Sequence, residues 1–519
     1  MISSRACRRS HGISRGVDLM DYTVIDCSTH FGFLPYKDTD VSVEKLRSSM
    51  RRYGVAGALT YSLKGVAYDF QEGNEETLAV CKSNPGLLPV ATVDPRRHLD
   101  VIEEIGKCGS KGFVALRLFP EQQGWKLNSA FFKPILKELQ RLGMPLIVNG
   151  AGGGGPTEVI RAVEGSTIPV IMTGIGYGSL AEGIAAVLEH PALLIEAQVN
   201  DTPDSLAVTV DALGAERVVY GSGSPSVSMR SSINGIAEAE LTDDQKALVF
   251  GGNIQRILGV SVPDVKLNLD HPFAGIPIID VHSHFGKWPF PMRQTGIEYI
   301  LEIMGRRSIN RTIMSSSYAI VYDFVEGNKQ MADAIEGHPE LLGYVTVNPH
   351  YFEASCKELE TYLRKPNFVG AKIHPAYCRL PINAPKTRAL LREVEKYGKP
   401  VLIHTYGSGM PSQIQDVARD CPNLPFIMGH GGADAWREAA DVIKSMDNVY
   451  LEFCCTGLET DKVRRTVETA GSDRVLFGSD LDLIHPGFIA GSYEEAGLGR
   501  EDLEKVLYKN AARIFGIQP

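Results

Sequence analysis

Short apolar runs rich in β-branched residues recur about every 30 residues through the C-terminal half of the chain. They are IPIIDVH from Ile276, NRTIMSSS from Asn310, LLGYVTV from Leu341, FVGAKIH from Phe368, PVLIH from Pro400, LPFIMGH from Leu424, NVYLEFC from Asn448 and RVLFGSD from Arg474. Between them lie amphipathic stretches such as TRALLREVEKYG from Thr387 and REAADVIKSM from Arg437, which end in glycine or polar breakers. Eight strand-plus-helix units closing at about 240 residues match a parallel (β/α)8 barrel, an α/β fold. The competing arrangement is a doubly wound open sheet. It is disfavoured because no glycine-rich phosphate turn follows the first run.

The N-terminal half repeats the same pattern. IDCSTHFG from Ile25 matches IDVHSHFG from Ile279, and YDFQEGN from Tyr68 matches YDFVEGN from Tyr322, both at an offset of 254. Later pairs follow in order: FVALRLFP with FVGAKIHP, GMPLIVN with GKPVLIH, IPVIMTG with LPFIMGH, and ERVVYGSG with DRVLFGSD. A repeat this long is a domain rather than a solenoid unit. The expected organisation is therefore two tandem TIM barrels, at residues 21–260 and 276–519, with a linker at 261–275. Residues 1–20 read as a flexible leader. The alternatives are a misread upstream start, with Met20 directly before the first strand-like run, and, behind it, an Arg- and Ser-rich transit segment.

Composition narrows the function. The chain has 519 residues, 44% of them hydrophobic and 22% charged, enough for sizeable cores. Its net charge of −9 argues against a nucleic-acid or anionic-membrane partner. No apolar run is long enough for a transmembrane helix. The nine cysteines show no C-x-x-C spacing, which argues against a disulfide framework or a cysteine-based zinc site. A reducing, cytoplasmic compartment fits.

In a parallel barrel the chemistry sits at the C-terminal strand ends. In the second unit those ends carry His282 and His284, Lys372 and His374, His404, His430, and Asp480. His282 and His284 are two apart on one strand and so point the same way. Neutral imidazoles and a carboxylate suit one divalent ion, Zn2+ first, with Mn2+, Fe2+ or Ni2+ as alternatives.

The motifs DVHSHFG at Asp280, VLIH ending at His404, MGHGG around His430, FGSD ending at Asp480 and NAARIFG from Asn510 span residues 276–517. In this order they resemble the amidohydrolase superfamily, specifically its amidohydrolase-2 branch. That branch includes metal-dependent hydrolases, lactonases and non-oxidative decarboxylases. The resemblance implies metal ligation by His282, His284, His404 and Asp480. It places His430 beside the metal, as a further ligand or an acid/base and orienting group.

The first unit resembles the same branch without its chemistry. Ser28, Asn149, Gly174 and Gly223 stand where His282, His404, His430 and Asp480 do, and only His30 remains. The expectation is a barrel without its own metal site; the alternative is another ligand held by the loop Gly150–Gly155. Residues present in both units (Asp69/Asp323, Asn74/Asn328, Glu196/Glu452 and Asn253/Asn510) read as scaffold. Lys372 and His374, replaced by Arg117 and Phe119, read as functional.

The expected catalyst is a hydrolase in which a metal-activated water attacks a small amide, lactone or ester. Asp480 takes the water's proton and His430 stabilises the oxyanion. Lys372 is a cationic anchor for a substrate carboxylate, a carbamylated ligand, or half of an internal salt bridge. His374 is a substrate contact or a packed strand-end residue. Trp288, Arg293, Tyr377, Arg379, Tyr406 and His485 follow the strand ends and shape a pocket. A metal-dependent decarboxylase is the second reading, and an inactive binding or scaffold protein the third. The expected partners are a small-molecule substrate and the two barrels themselves, as an internal pseudo-dimer, with homo-oligomerisation left open.

Overall fold

The computed structural model describes residues 18–20, 22–292 and 296–519. Arg293 and residues 1–17 of the expected leader lie outside the described residues.

Eight parallel strands form the first sheet in sequence order: Ile25–Asp26, Gly57–Thr60, Leu87–Thr92, Ala115–Leu118, Leu146–Asn149, Val170–Thr173, Leu193–Glu196 and Val218–Val219. Seven form the second: Ile278–Phe285, Ile309–Ser316, Leu341–Thr346, Phe368–Ile373, Val401–Tyr406, Phe426–Gly432 and Val449–Leu451. Helices connect successive strands, so both units are (β/α)8 TIM-type barrels. Alternation along each strand separates two layers of core. Leu342, Leu402 and Ile427 join one buried cluster, whereas their neighbours Leu341, Val401 and Phe426 pack with Leu390, Ile414 and Ile443 of the helices.

The eighth run of the second barrel is not the regular strand its sequence suggests. It closes the barrel through two isolated bridges, Leu451–Val475 and Ser283–Leu481. Single backbone bonds support them, among them Val281 N–H to Phe477 O at 3.0 Å and Asp480 N–H to His282 O at 2.7 Å. Beyond the run, Asp480 has φ 62°, which turns the chain out of extended geometry at the barrel mouth.

A buried aspartate clasps each closure. Asp280 Oδ1 accepts from His282 N–H at 3.1 Å and Ser479 N–H at 3.0 Å, and Oδ2 accepts from the Ser479 hydroxyl. Asp26 binds Ser28 N–H and Ser222 N–H, both at 3.0 Å, and the Ser222 hydroxyl in the same way. Other shared residues are scaffold as expected. Asp69 and Asp323 cap helices Phe70–Ser83 and Phe324–Ala334. Asn74 and Asn328 each exchange two bonds with the backbone of Thr92 and Thr346, and Asn253 and Asn510 tie their helices to carbonyls beside the eighth run.

Two segments expected to be irregular are ordered. Asp18–Met20, at the end of the expected leader, pairs antiparallel with Leu267–Leu269, inside the expected linker. Leu267 is fully buried, and Gly54 at φ 72° leaves room for the Lys266 carbonyl, where a Cβ would sit 1.9 Å from the oxygen. Among the described residues no helix is long and apolar enough to cross a membrane, and the eight described cysteines are free.

The barrels meet through equivalent helices, Met229–Ala237 and Pro486–Glu495. Arg230 is 1% exposed and donates to Glu494 at 2.5 Å; Arg307 donates to the other Glu494 oxygen at 3.0 Å. Burial would raise Glu494, but the two guanidiniums hold it down at about 2.

Burial raises Asp26 to about 6, although its hydrogen bonds oppose the rise. A raised carboxyl contributes stability that is full below its unfolded value and lost as pH climbs through the folded one. Between about pH 4 and 7 the native chain should therefore lose roughly 3 kcal/mol relative to Asp26→Asn. Urea denaturation across that range checks it; parallel pH profiles for the two chains would contradict the assignment.

Candidate metal centre and pocket

The mouth of the second barrel gathers the polar strand ends. His284 Nε2 lies 2.8 Å from Asp480 Oδ1, and His282 Nε2 lies 3.7 Å from it. Potential ligand atoms of His282, His284 and Asp480 all fall within 4.8 Å of one another, and all three residues are buried. Asp480 Oδ1 makes no directed hydrogen bond. Two imidazoles and a carboxylate oxygen left without such a partner form a donor set that fits a divalent ion.

Around this trio the other imidazoles form a chain. His404 Nδ1 lies 2.9 Å from His430 Nε2, and His430 Nδ1 faces the Cys454 carbonyl. The His404 ring stacks on His374 at 3.9 Å. His404 thus joins the site through His430. Burial and neighbouring cationic groups push His282 and His404 well below the usual imidazole range, and burial with Lys372 brings His374 to about 2. Burial also lowers His284. These four rings are neutral, the form a metal requires. Burial would raise Asp480, but the direct contact with His284 leads the interactions that hold it below the ordinary carboxylate range.

Lys372 is fully buried, and its Nζ lies 2.9 Å from His282 Nε2. Burial lowers it to about 8. The first barrel places a cation in the same way: Arg117, at the equivalent position, donates to Ser28 Oγ at 3.0 Å. A strand-four cation reaches the metal-facing side of strand one in both units.

Glu452 was read as scaffold, and the structure gives it a second task. Its Oε1 lies 2.7 Å from His282 Nδ1 and accepts from His430 N–H at 2.9 Å. It therefore fixes the His282 tautomer, with the proton on Nδ1 and the lone pair on Nε2, the atom that faces Asp480 and Lys372. A carboxylate inside the apolar run NVYLEFC was the available signal. Cys454 Sγ, which spacing gave no reason to expect here, lies 3.1 Å from His282 Nδ1. It sits behind the ligand face, and burial and Glu452 raise its thiol well above the usual range, so it is a poor ligand.

A cavity of about 210 Å3 opens over the trio. Trp288, Tyr377 and Tyr406 line it with Lys372 and His374, as expected from sequence. Phe290, Cys455 and Tyr177 line it as well, and none of the three was singled out in the sequence. Asp482, also missed, accepts from Trp288 Nε1 at 3.1 Å and fixes the indole. Arg379 and His485 do not line the pocket. Arg379 is exposed beyond the short helix Pro375–Cys378, and His485 is buried, capping Pro486–Glu495 through Gly487 N–H at 3.0 Å.

Two site residues adopt a left-handed backbone: His430 at φ 66° and Asp480 at φ 62°. Their counterparts in the first barrel are Gly174 at φ 78° and Gly223 at φ 71°. The fold demands positive φ at these two strand ends. Glycine meets that demand without strain, and a residue with a Cβ does so at a cost of about 1 kcal/mol.

Two outcomes follow from this geometry. Asp480→Gly should be more stable than Asp480→Ala by about 1 kcal/mol, since both lose the carboxylate and only alanine keeps the strain; thermal denaturation of the metal-free chains measures it. Glu452→Gln should weaken divalent-metal binding about 10- to 100-fold, read by chelator competition. Unchanged affinity would return Glu452 to a purely structural role.

Comparison with known proteins agrees with this architecture. No curated protein matches the chain. Among solved structures, it is similar to 2,6-dihydroxybenzoate decarboxylase in complex with 2,6-dihydroxybenzoate: 18% identity, TM-score 0.39, covering 47% of this chain and all of that one. It is also similar to a dihydroxybenzoic acid decarboxylase from Polaromonas sp. JS666 with bound manganese and the inhibitor 2-nitroresorcinol: 17% identity, TM-score 0.40, covering 46% and 97%. A third is a probable 2-pyrone-4,6-dicarboxylic acid hydrolase from Acinetobacter baumannii: 14% identity, TM-score 0.37, covering 46% and 99%. The amidohydrolase family model matches twice, over residues 25–260 and 279–517. Since those two matches take in most of the sequence, the chain belongs to the amidohydrolase family, with both barrels as members.

Proposed function

We propose that the second barrel is a metal-dependent hydrolase acting on a small, flat, carboxylated substrate, and that the first barrel is its support without a metal site. The observation that carries this reading is the left-handed backbone at His430 and Asp480 beside glycine at both positions in the sister barrel. Where the same fold needs no chemistry, the strain is absent. Retaining an imidazole and a carboxylate there is explained by what those side chains do.

His282, His284 and Asp480 would hold the ion, with His404 and His430 at its edge. A bound divalent ion would supply Lewis acidity, polarising a carbonyl and acidifying water. The remaining work falls to the protein. Glu452 holds His282 in register. Asp480, ionised and next to His284, accepts the proton of the attacking water and passes it to the leaving group. His430, with its Nδ1 proton fixed against Cys454 O, would donate from Nε2 to the developing oxyanion only as the imidazolium, in place of its contact with His404. Lys372 supplies the positive charge that a substrate carboxylate meets. Trp288, Phe290 and Tyr406 exclude water and sandwich a flat ring, and the cavity volume suits one ring rather than two.

A second reading, decarboxylation of a similar substrate, is favoured by one observation: a fully buried lysine and aromatic walls enclose the same space. Such a site holds a carboxylate away from water, which also serves the loss of carbon dioxide.

The deciding experiment loads the full chain with Zn2+ or Mn2+ and offers simple lactones, 2-pyrone-4,6-dicarboxylate and 2,6-dihydroxybenzoate. Ring-opening hydrolysis is expected, abolished by chelation and lowered about 10³-fold by Asp480→Asn at saturating metal. Release of carbon dioxide without ring opening would transfer the assignment to the second reading. A metal-replete chain inert to the whole panel would leave the inactive scaffold and overturn both.

A further inference from the structure

One wall of the pocket comes from the wrong barrel. Tyr177 belongs to the first unit, three residues beyond Gly174, in the loop between strand Val170–Thr173 and helix Leu180–Glu189. It nevertheless lines the cavity above His284 and Asp480. Its ring meets Phe290 edge-on, with centroids 4.7 Å apart, and Phe290 in turn stacks near Trp288 at 6.5 Å. Tyr177 is half-buried, and burial, with Asp201 and Asp480 adding, keeps its phenol protonated well into the alkaline range.

The internal repeat supplies a control for chance. The equivalents of Tyr177 and Phe290 are Ala433 and Tyr36. Ala433 has no ring to offer, and Tyr36 is 75% exposed. The crossing aromatic contact therefore runs one way only, from the unit that lacks the ligand set to the unit that has it. An accident of pseudo-symmetric packing would leave a similar contact on both sides.

We propose that Tyr177 is a specificity-determining residue of the second barrel's pocket, contributed across the domain boundary by the first barrel. It closes the side of the cavity away from the strand-end imidazoles. Its hydroxyl offers a hydrogen bond to a polar substituent on the far edge of a single-ring substrate, a hydroxyl or a second carboxylate. This rests on the proposed function only for the nature of that ring.

The test titrates 2-nitroresorcinol into the Mn2+-loaded full chain, following the quenching of tryptophan fluorescence, and measures Mn2+ affinity in parallel. Tyr177→Ala should weaken the probe about tenfold and Tyr177→Phe about threefold, with Mn2+ affinity unchanged. Tyr177→Phe keeps the packing on Phe290, so its loss cannot come from unfolding. Tyr36→Ala should bind as the native chain does. Native affinity in both Tyr177 variants would overturn this inference alone. A native chain that binds Mn2+ but neither 2-nitroresorcinol nor 2,6-dihydroxybenzoate would overturn the proposed substrate class, and this inference with it.

Discussion

The site depends on how the barrel is shut. Strand one and the eighth run share no regular ladder, only single backbone hydrogen bonds, and a buried carboxylate, Asp280, reinforces the seam between them. It grips the backbone of His282, itself part of the candidate centre, on one side and of Ser479, next to Asp480, on the other. The spacing between His284 and Asp480 is set by that grip. Asp26 holds the same seam in the first unit, where of the corresponding imidazoles and carboxylate only His30 is present. The clasp is thus a property of the fold, and the centre is built upon it.

Much of this was legible in the sequence. The repeat, the run spacing and the polar strand ends gave two barrels and one mouth rich in imidazoles. What stayed hidden has physical causes. Glu452 and Glu196 look alike in the sequence, yet only Glu452 has a histidine to hold. Asp280 reads as one more polar residue in a motif, because a seam of single hydrogen bonds has no periodicity. The eighth run keeps the composition of a strand, while its pairing is reduced to isolated bridges, which composition does not record. Tyr177 was invisible because nothing local marks a loop residue that serves a different domain. The ordered pair Asp18–Met20 and Leu267–Leu269 was missed because each is too short to signal a strand by itself.

The two mouths are filled differently. Arg117 spreads over Tyr61 and Phe119, 5.3 and 5.6 Å from their ring centroids, and reaches Ser28. A tethered guanidinium fills the space, and glycines take over the two left-handed corners. In the second barrel the corresponding lysine is shorter and easily neutralised, and the corners keep their functional side chains.

The buried Arg230–Glu494–Arg307 network has one more implication. Within the paired helices, the residue equivalent to Arg230 is Gly487, and the residue equivalent to Glu494 is Ala237. Two copies of the second barrel meeting by this face would leave each Glu494 with Arg307 of its own barrel and without Arg230. Two copies of the first would bury Arg230 against alanine. An unmatched charge in such a place costs about 3–5 kcal/mol. The repeat is symmetric while this face is not: the guanidinium of Arg230 stands on one barrel and the carboxylate it meets on the other, so the charge pattern distinguishes the two halves that the fold makes alike.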